Sequence, residues 1–196
     1  MQVCGLLLAA GRATRFGSDK LLAPLPAATL DVPAGTPLGE AAARHLAQVL
    51  PTSVAIVRPD APALRALFAQ TGLRVVECAH AEDGMGASLA CGVTATNDAD
   101  AWVVALADMP WIAPATIRRV VHALQHGADI VAPVYRGARG HPVGFARRHV
   151  AALATLTGDA GARDLLRAEA DAVTLIDVDD PGIVRDVDTP AALHNA

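Results

Sequence analysis

The chain has 196 residues, of which 53% are hydrophobic and 18% charged, a composition typical of a globular domain that buries much of its length. Its net charge of −4 and the lack of a basic run exclude a nucleic-acid-binding face, and no apolar stretch reaches the ~20 residues that cross a membrane. Three widely spaced cysteines predict neither a disulfide framework nor a zinc site. We therefore expect one cytoplasmic domain over residues 1–196.

Short apolar runs alternate along the chain with segments of helical periodicity. In chain order the sequence predicts a strand at Val3–Ala9, a loop at 11–20, a proline-bearing extended segment at 21–37, a helix at Thr36–Leu50, a strand at Ser53–Val57, a helix at Pro62–Thr71, a strand at Arg74–Glu77, a helix opened by Gly84-Met85-Gly86, a strand at Ala101–Ala107, a helix at Pro114–His126, a strand at Asp129–Val134, a Gly-rich turn at Gly137–Phe145, helices near Arg147–Thr155 and Gly161–Ala170, and a strand at Ala172–Val178.

This alternation implies βαβ units. The predicted fold is a three-layer, Rossmann-like α/β fold with a mostly parallel central sheet and helices on both faces. In such sheets the ligand lies beyond the carboxyl ends of the strands, so the polar residues that follow Leu8, Leu106 and Val178 are the candidates for a site.

The loop after the first strand, from Gly11 to Lys20, is rich in glycine and positive charge. Glycines let backbone amides approach an anion, and Arg15 and Lys20 would add full charges against phosphate oxygens. Lys20 is the only lysine in the chain. The spacing matches neither a Walker A loop nor a dinucleotide fingerprint. An ordinary surface turn with solvated arginines is the alternative at this point.

Three carboxylates are expected to lie at the edge of the sheet where the ligand binds. Asp108 follows the predicted strand Ala101–Ala107, and Asp186 and Asp188 alternate so that both lie on one face of an extended segment. Carboxylates that converge beside a phosphate loop suggest Mg²⁺. Alternatively, Asp188 or Thr189 caps a helix that starts at Pro190.

The sequence lacks the motifs of serine hydrolases, zinc proteases and cysteine enzymes. A reaction in which a phosphate attacks needs no general base, because a phosphate monoester (second pKa about 6) is largely ionised near pH 7. Such an enzyme needs positioning and charge stabilisation instead, which is what the residues above could supply.

The chain resembles the nucleotidyltransferases with an N-terminal Leu-Ala-Ala-Gly loop and, within them, the molybdenum cofactor cytidylyltransferases. The match spans nearly the whole chain through six segments, which are Leu8-Ala9-Ala10-Gly11 with Arg15-Phe16-Gly17 and Lys20, Gly84-Met85-Gly86 with Ser88-Leu89, Leu106-Ala107-Asp108-Met109-Pro110, Gly140-His141-Pro142-Val143-Gly144-Phe145, Gly158-Asp159-Ala160-Gly161-Ala162-Arg163 and Asp186-Val187-Asp188-Thr189-Pro190.

The resemblance implies an enzyme that transfers CMP from CTP to the terminal phosphate of molybdopterin with Mg²⁺ and releases pyrophosphate. It implies catalytic roles for Lys20, Arg15 and Asp108, metal binding by Asp108 and Asp188, and acceptor binding by His141 and Arg163. The nucleotide-binding residues that it implies are Leu8, Ala9, Ala10, Gly11, Gly17, Gly86 and Ser88. A molybdenum hydroxylase or its maturation chaperone would be the partner that receives the product, with no nucleic acid or membrane involved.

By residue chemistry alone, a histidine such as His141 is more often a structural turn residue than a ligand. Gly158–Arg163 is equally compatible with a capped helix start whose cap is Asp159. Relatives often carry Ser where this chain has Ala13. The guanylyl branch tends to have Gly in place of Ala10, so the extra methyl group favours CTP. Three alternatives stay open: GTP in place of CTP, a sugar or alcohol phosphate as acceptor, and a non-catalytic nucleotide-binding cofactor chaperone.

Overall fold

The computed structural model describes residues 1–12, 16 and 19–194. Eight strands of this part form one sheet in the order β3-β2-β1-β4-β7-β5-β6, and β8 pairs with β5. The strands are β1 (Val3–Leu8), β2 (Val54–Val57), β3 (Arg74–Glu77), β4 (Ala101–Leu106), β5 (Ile130–Tyr135), β6 (Ala138–Arg139), β7 (Val143–Ala146) and β8 (Val173–Asp177).

Seven α-helices connect or follow these strands in the described residues. They are α1 (Leu38–Val49), α2 (Pro62–Gln70), α3 (Met85–Ala95), α4 (Pro114–Gln125), α5 (Val150–Leu153), α6 (Arg163–Ala168) and α7 (Pro190–His194). Short 3₁₀-helices lie at Lys20–Leu22, Ala81–Asp83, Arg147–His149, Ala170–Ala172 and Pro181–Val184.

The centre of the sheet is apolar on both faces because β1 lies between two parallel partners, β2 and β4. Successive side chains of a strand point to opposite faces, so Leu7 packs into one core while Leu6 and Leu8 pack into the other. Helices α1, α2 and α4 supply buried side chains to the first core, and α3, α5 and α6 supply them to the second. The predicted fold, a mostly parallel sheet between two helical layers, is confirmed.

One predicted segment is wrong. Gly137–Phe145 is not only a turn, because its last residues form β7, which runs antiparallel between β4 and β5 in the interior of the sheet. Val143 and Phe145 are buried. The alternating pattern around Gly144 is too short to indicate a strand. Glycine is needed there because a Cβ atom would lie 2.8 Å from Leu124 Cδ1 of α4.

Among the residues that the structure describes, no helix has both the length and the apolar character needed to pass through a bilayer. That the chain forms a single domain over residues 1–196 stays a prediction.

Candidate active site

The ammonium of Lys20 lies between two carboxylates from distant parts of the chain. Its Nζ is 2.8 Å from Asp108 Oδ2 and 3.2 Å from Asp188 Oδ1. Lys20 begins the 3₁₀-helix that ends the loop after β1, and Asp108 lies two residues beyond β4. Because β1 and β4 are parallel neighbours, their carboxyl ends bring these residues to the same edge of the sheet.

The charges of this cluster stabilise one another. Burial alone would lower the pKa of the Lys20 ammonium, but the Asp108 and Asp188 carboxylates outweigh that effect and raise the pKa above its usual value. Lys20 is therefore fully charged at neutral pH.

The segment that carries Asp186 and Asp188 is extended, as the sequence predicted. Val187 between them is fully buried, and its N–H donates to the carbonyl oxygen of Asp108 at 3.0 Å. Thr189 accepts a hydrogen bond from the backbone N–H of Ala192, so Thr189 and not Asp188 caps α7. Both aspartates are thus left to face Asp108.

These three carboxylates fit a divalent cation. Asp108, Asp186 and Asp188 each offer an oxygen atom, and the three atoms lie within 4.8 Å of one another. Carboxylate oxygens are the ligands that hard cations such as Mg²⁺ and Mn²⁺ prefer. The Lys20 ammonium, bonded to two of them, marks the point of highest attraction for a positive charge. The sequence singled out all three carboxylates, and the resemblance implied metal binding by Asp108 and Asp188; the structure brings Asp186 to the same place.

A cavity of about 690 Å³, the first cavity, opens beside this cluster at the carboxyl edge of the sheet. A volume of this size is typical of small-molecule sites. Its lining includes seven residues that the sequence singled out, which are Leu8, Ala9, Ala10, Gly11, Lys20, Ser88 and Asp108. Arg15 and Gly17, also named from the sequence, lie outside the described residues, as does Ala13.

Gly86 does not lie in the first cavity with the other described residues that the resemblance assigned to the nucleotide. A Cβ atom on Gly86 would lie 2.5 Å from the carbonyl oxygen of Thr157, and the Gly86 N–H donates to the carbonyl oxygen of Gly158 at 2.8 Å. Gly84, with φ +101°, likewise faces the Gly158 backbone. These glycines therefore let the loop before α6 approach the start of α3. Gly86 is absent from the lining of the first cavity, whereas Ser88, two residues further, is part of it.

A second cavity of about 260 Å³ adjoins the first and shares Leu8, Met85, Leu106 and Asp159 with it. Its remaining lining is mostly apolar and also includes Arg139, His141 and Arg163. The structure thus brings both predicted acceptor residues, His141 and Arg163, into one cavity. It adds Arg139, which the sequence did not indicate.

The surroundings of His141 and Asp159 do not match the structural roles that the sequence allowed for them, a turn histidine and a helix cap. Burial lowers the pKa of the His141 imidazole even though Asp108 and Asp186 oppose the shift, so the ring is neutral near pH 7. Its Nδ1 is buried without a hydrogen-bond partner. Asp159 does not cap α6, whose first flanking residue is Ala162 with no side-chain cap. Asp159 instead lies in the wall between the two cavities.

Sequence reasoning missed Arg58 and Asp60, which also line the first cavity. Arg58 directly follows β2, at the same carboxyl edge as Asp108. Polar residues that follow the parallel strands mark the site. The end of β2 at Val57 meets this rule as well as the strand ends near Leu8, Leu106 and Val178, so the position of Arg58 directly after Val57 is the signal that indicates it.

The fold and the cluster of one lysine with three carboxylates define a nucleotidyltransferase-type site. Residues 5–173 match the MobA-like NTP transferase domain, and the chain belongs to this family.

Two relatives align along almost the whole chain. One is nicotine blue oxidoreductase of Paenarthrobacter nicotinovorans, 32% identical over 98% of this chain and 95% of its own. The other is purine catabolism protein PucB of Bacillus subtilis, 30% identical over 95% of this chain and 91% of its own.

Solved structures agree with this assignment. Rv0371c of Mycobacterium tuberculosis is 30% identical with a TM-score of 0.79, covering 99% of this chain and 96% of its own. A second structure of Rv0371c is a manganese complex, 28% identical with a TM-score of 0.75, covering 100% of this chain and 97% of its own. A relative of this fold therefore binds a divalent cation.

Proposed function

We propose that this protein transfers CMP from CTP to the terminal phosphate of a molybdopterin-type acceptor and releases pyrophosphate. The observation that carries the proposal is the Lys20 ammonium between Asp108 and Asp188, at the wall of a cavity large enough for a nucleotide and next to a second cavity for an acceptor. The reaction would take place in the cytoplasm, and the product would pass to a molybdenum hydroxylase or its maturation chaperone.

The bond changes follow from the two substrates. An oxygen of the acceptor phosphate attacks the α-phosphorus of CTP, a new P–O bond forms, and the bond to the bridging oxygen of pyrophosphate breaks. No side chain has to remove a proton, because the attacking phosphate is already ionised. Lys20 then stabilises the negative charge that builds on the leaving pyrophosphate, and Arg15 is proposed to act with it.

Magnesium is the cofactor that we propose, bound by Asp108 and Asp188 with Asp186 beside them. Such an ion supplies charge neutralisation for the phosphate oxygens and orients them. The carboxylates themselves fix where a cation and the Lys20 ammonium can lie.

The second cavity suits a flat ring system that carries an anionic group. Leu89, Val104 and Phe145 give it apolar walls, whereas Arg139 and Arg163 add two positive charges. Apolar walls favour an organic ring and guanidinium groups favour a phosphate. A sugar or alcohol phosphate remains the alternative acceptor, and it would leave the apolar walls unused.

The choice of CTP over GTP rests on Ala10, which is buried in the lining of the first cavity. Its methyl group occupies space next to the position of the nucleotide, which favours the smaller pyrimidine base.

The test is release of pyrophosphate with Mg²⁺ and molybdopterin, with CTP and GTP compared at equal concentration. We expect release with CTP and little with GTP. Release with GTP alone would keep the chemistry and refute the role of Ala10. No release with either nucleotide, from a protein that binds both, would refute the acceptor and leave other phosphorylated acceptors to be compared.

The name of the relative from Paenarthrobacter nicotinovorans suggests a redox reaction as a competing function. Oxidation of NADH or NADPH with an acceptor dye tests it directly. We expect none, because hydride transfer has no use for an ammonium paired with two carboxylates beside a third. Dye reduction that survives Asp108→Asn and Lys20→Met would overturn the proposed transfer reaction.

A further inference from the structure

Arg58, in the lining of the first cavity, contacts three separate residues around it. Its guanidinium makes three contacts, each with a different partner: Nη1 donates to the carbonyl oxygen of Gly11 at 3.3 Å, Nη2 donates to Asp19 Oδ2 at 2.7 Å, and Nε lies 3.1 Å from Asp60 Oδ1. The last contact is an ion pair without hydrogen-bond geometry.

Two of these partners are the two ends of one loop. Gly11 begins the loop that follows β1, and Asp19 ends it, immediately before the 3₁₀-helix that starts at Lys20. The side chains of Arg58 and Asp19 are only 16% and 18% exposed, so their ion pair is largely shielded from water. A shielded, charge-assisted hydrogen bond is much stronger than one on the surface.

We infer that Arg58 is a positioning residue, which holds the two ends of the Gly11–Asp19 loop together and thereby fixes Lys20 against Asp108 and Asp188. The carboxylate of Asp19 gives no hydrogen bond to the turn that it precedes, so its interaction is with Arg58. Because Asp19 adjoins Lys20 in the chain, moving Asp19 moves the ammonium. The catalytic consequence of this inference rests on the proposed function, whereas the effect on the loop does not.

The planar fork of arginine explains the residue type. Separate N–H groups point toward Gly11 and Asp19, and a lysine ammonium on a single stem cannot reach both in this arrangement. Arg58→Lys therefore keeps the charge of the cavity and loses the bridge between the loop ends. Arg58→Gln loses both the charge and the bridge between the loop ends.

The chain offers an unusually clean measurement because Lys20 is its only lysine. Endoproteinase Lys-C, which cuts after lysine, has one target in the native protein, and the products 1–20 and 21–196 are separated by mass. Cleavage requires local opening around Lys20. We expect Arg58→Gln to accelerate this cleavage by roughly ten-fold or more. Arg58→Lys adds a second Lys-C target at position 58, so this variant is compared by turnover and not by cleavage.

One control variant isolates the cause. Arg65→Gln, on α2, removes an exposed ion pair to Glu77 at the end of β3. It is expected to leave the cleavage rate within about two-fold of the original protein. Hydrogen exchange of the β4 amides, which reports global opening, is expected to be unchanged in Arg58→Gln.

Equal cleavage rates for Arg58→Gln and Arg65→Gln would overturn the inference, and so would a faster rate that the β4 amides share. If cleavage accelerates as expected and turnover falls at least about ten-fold in Arg58→Lys, the positioning role holds for catalysis as well. Faster cleavage with unchanged turnover would overturn the catalytic part alone. The cleavage assay needs no substrate, so it decides about the loop even if the proposed function fails.

Discussion

Lys20 and a divalent cation would compete for the same carboxylate groups. The ammonium contacts Asp108 Oδ2 and Asp188 Oδ1, two of the groups that would bind the metal. An ammonium and a divalent cation cannot both lie between these two oxygens, because they would repel each other at close range. Entry of the metal therefore requires Lys20 to turn away from the carboxylates, toward the cavity where the phosphates of the nucleotide are proposed to bind.

We predict that Lys20→Met binds Mn²⁺ about ten-fold or more tightly than the original protein in the absence of nucleotide, while its turnover falls by at least about two orders of magnitude. Affinity is measured by titration with Mn²⁺ followed by electron paramagnetic resonance. The matched control is Arg12→Met, which removes a positive charge from the same cavity, where Arg12 pairs with Asp60. An equal gain in both variants would show a general charge effect and no competition.

At the scale of single elements, the periodicity of apolar residues predicted most of the strands and helices. The apolar runs of β1 and β4 and the spacing in α1 and α4 appear in the structure with ends that differ by one or two residues. The strand β7 could not be predicted, because Gly144 interrupts its apolar residues and its pairing with β4 and β5 is set by tertiary contacts.

The residues of the candidate site were likewise predictable from the sequence only in part. Carboxyl-edge positions such as Asp108 and Arg58 follow from strand order, which the sequence indicates. Arg139 depends on which loops meet across that edge, and Gly86 depends on the approach of Thr157, a contact 71 positions away in the chain that no local pattern encodes.

Helix α1 contains a buried histidine that makes the fold sensitive to acid. His45 is 2% exposed. Neither ring nitrogen has a hydrogen-bond partner among the described residues, and Nε2 lies 3.3 Å from Asp31 Oδ1. Burial lowers the pKa of His45, and the nearby carboxylates of Asp31 and Asp180 offset only part of that shift. Below the ordinary pKa of about 6.5, the unfolded chain binds a proton that the folded chain does not. The free energy of unfolding therefore falls as the pH drops from about 6.5 toward the lowered pKa.

We predict that His45→Leu reduces this loss by up to about 1.4 kcal/mol per pH unit over that window. Urea unfolding at pH 7 and pH 5 measures it in both proteins. His141 and His149 also have lowered pKa values, but they are present in both proteins and cancel in the comparison. The same pH slope in His45→Leu and the original protein would contradict the assignment.

At the scale of the whole molecule, the site joins three distant parts of the chain. Lys20 comes from the N-terminal quarter, Asp108 from the middle and Asp188 from the C-terminal end. The C-terminal part is fastened to the middle by Asp180, a buried carboxylate. Its Oδ2 accepts hydrogen bonds from the Ala113 N–H at 2.9 Å and the Thr116 hydroxyl at 2.6 Å, and its Oδ1 accepts one from the Gly182 N–H at 3.0 Å.

We predict that Asp180→Asn lowers the free energy of unfolding by about 2–4 kcal/mol, because its amide NH₂ group would face a donor that now has an acceptor. The same change should weaken Mn²⁺ binding, since Asp186 and Asp188 lie on the segment that Asp180 fastens. Asp179→Asn is the matched control, with the same chemical change one residue earlier at an exposed position. Urea unfolding and Mn²⁺ titration of the two variants are compared. If Asp180→Asn loses stability but binds Mn²⁺ as tightly as Asp179→Asn, the carboxylates keep their positions without this connection, and the metal site depends on the Asp108–Val187 backbone hydrogen bond instead.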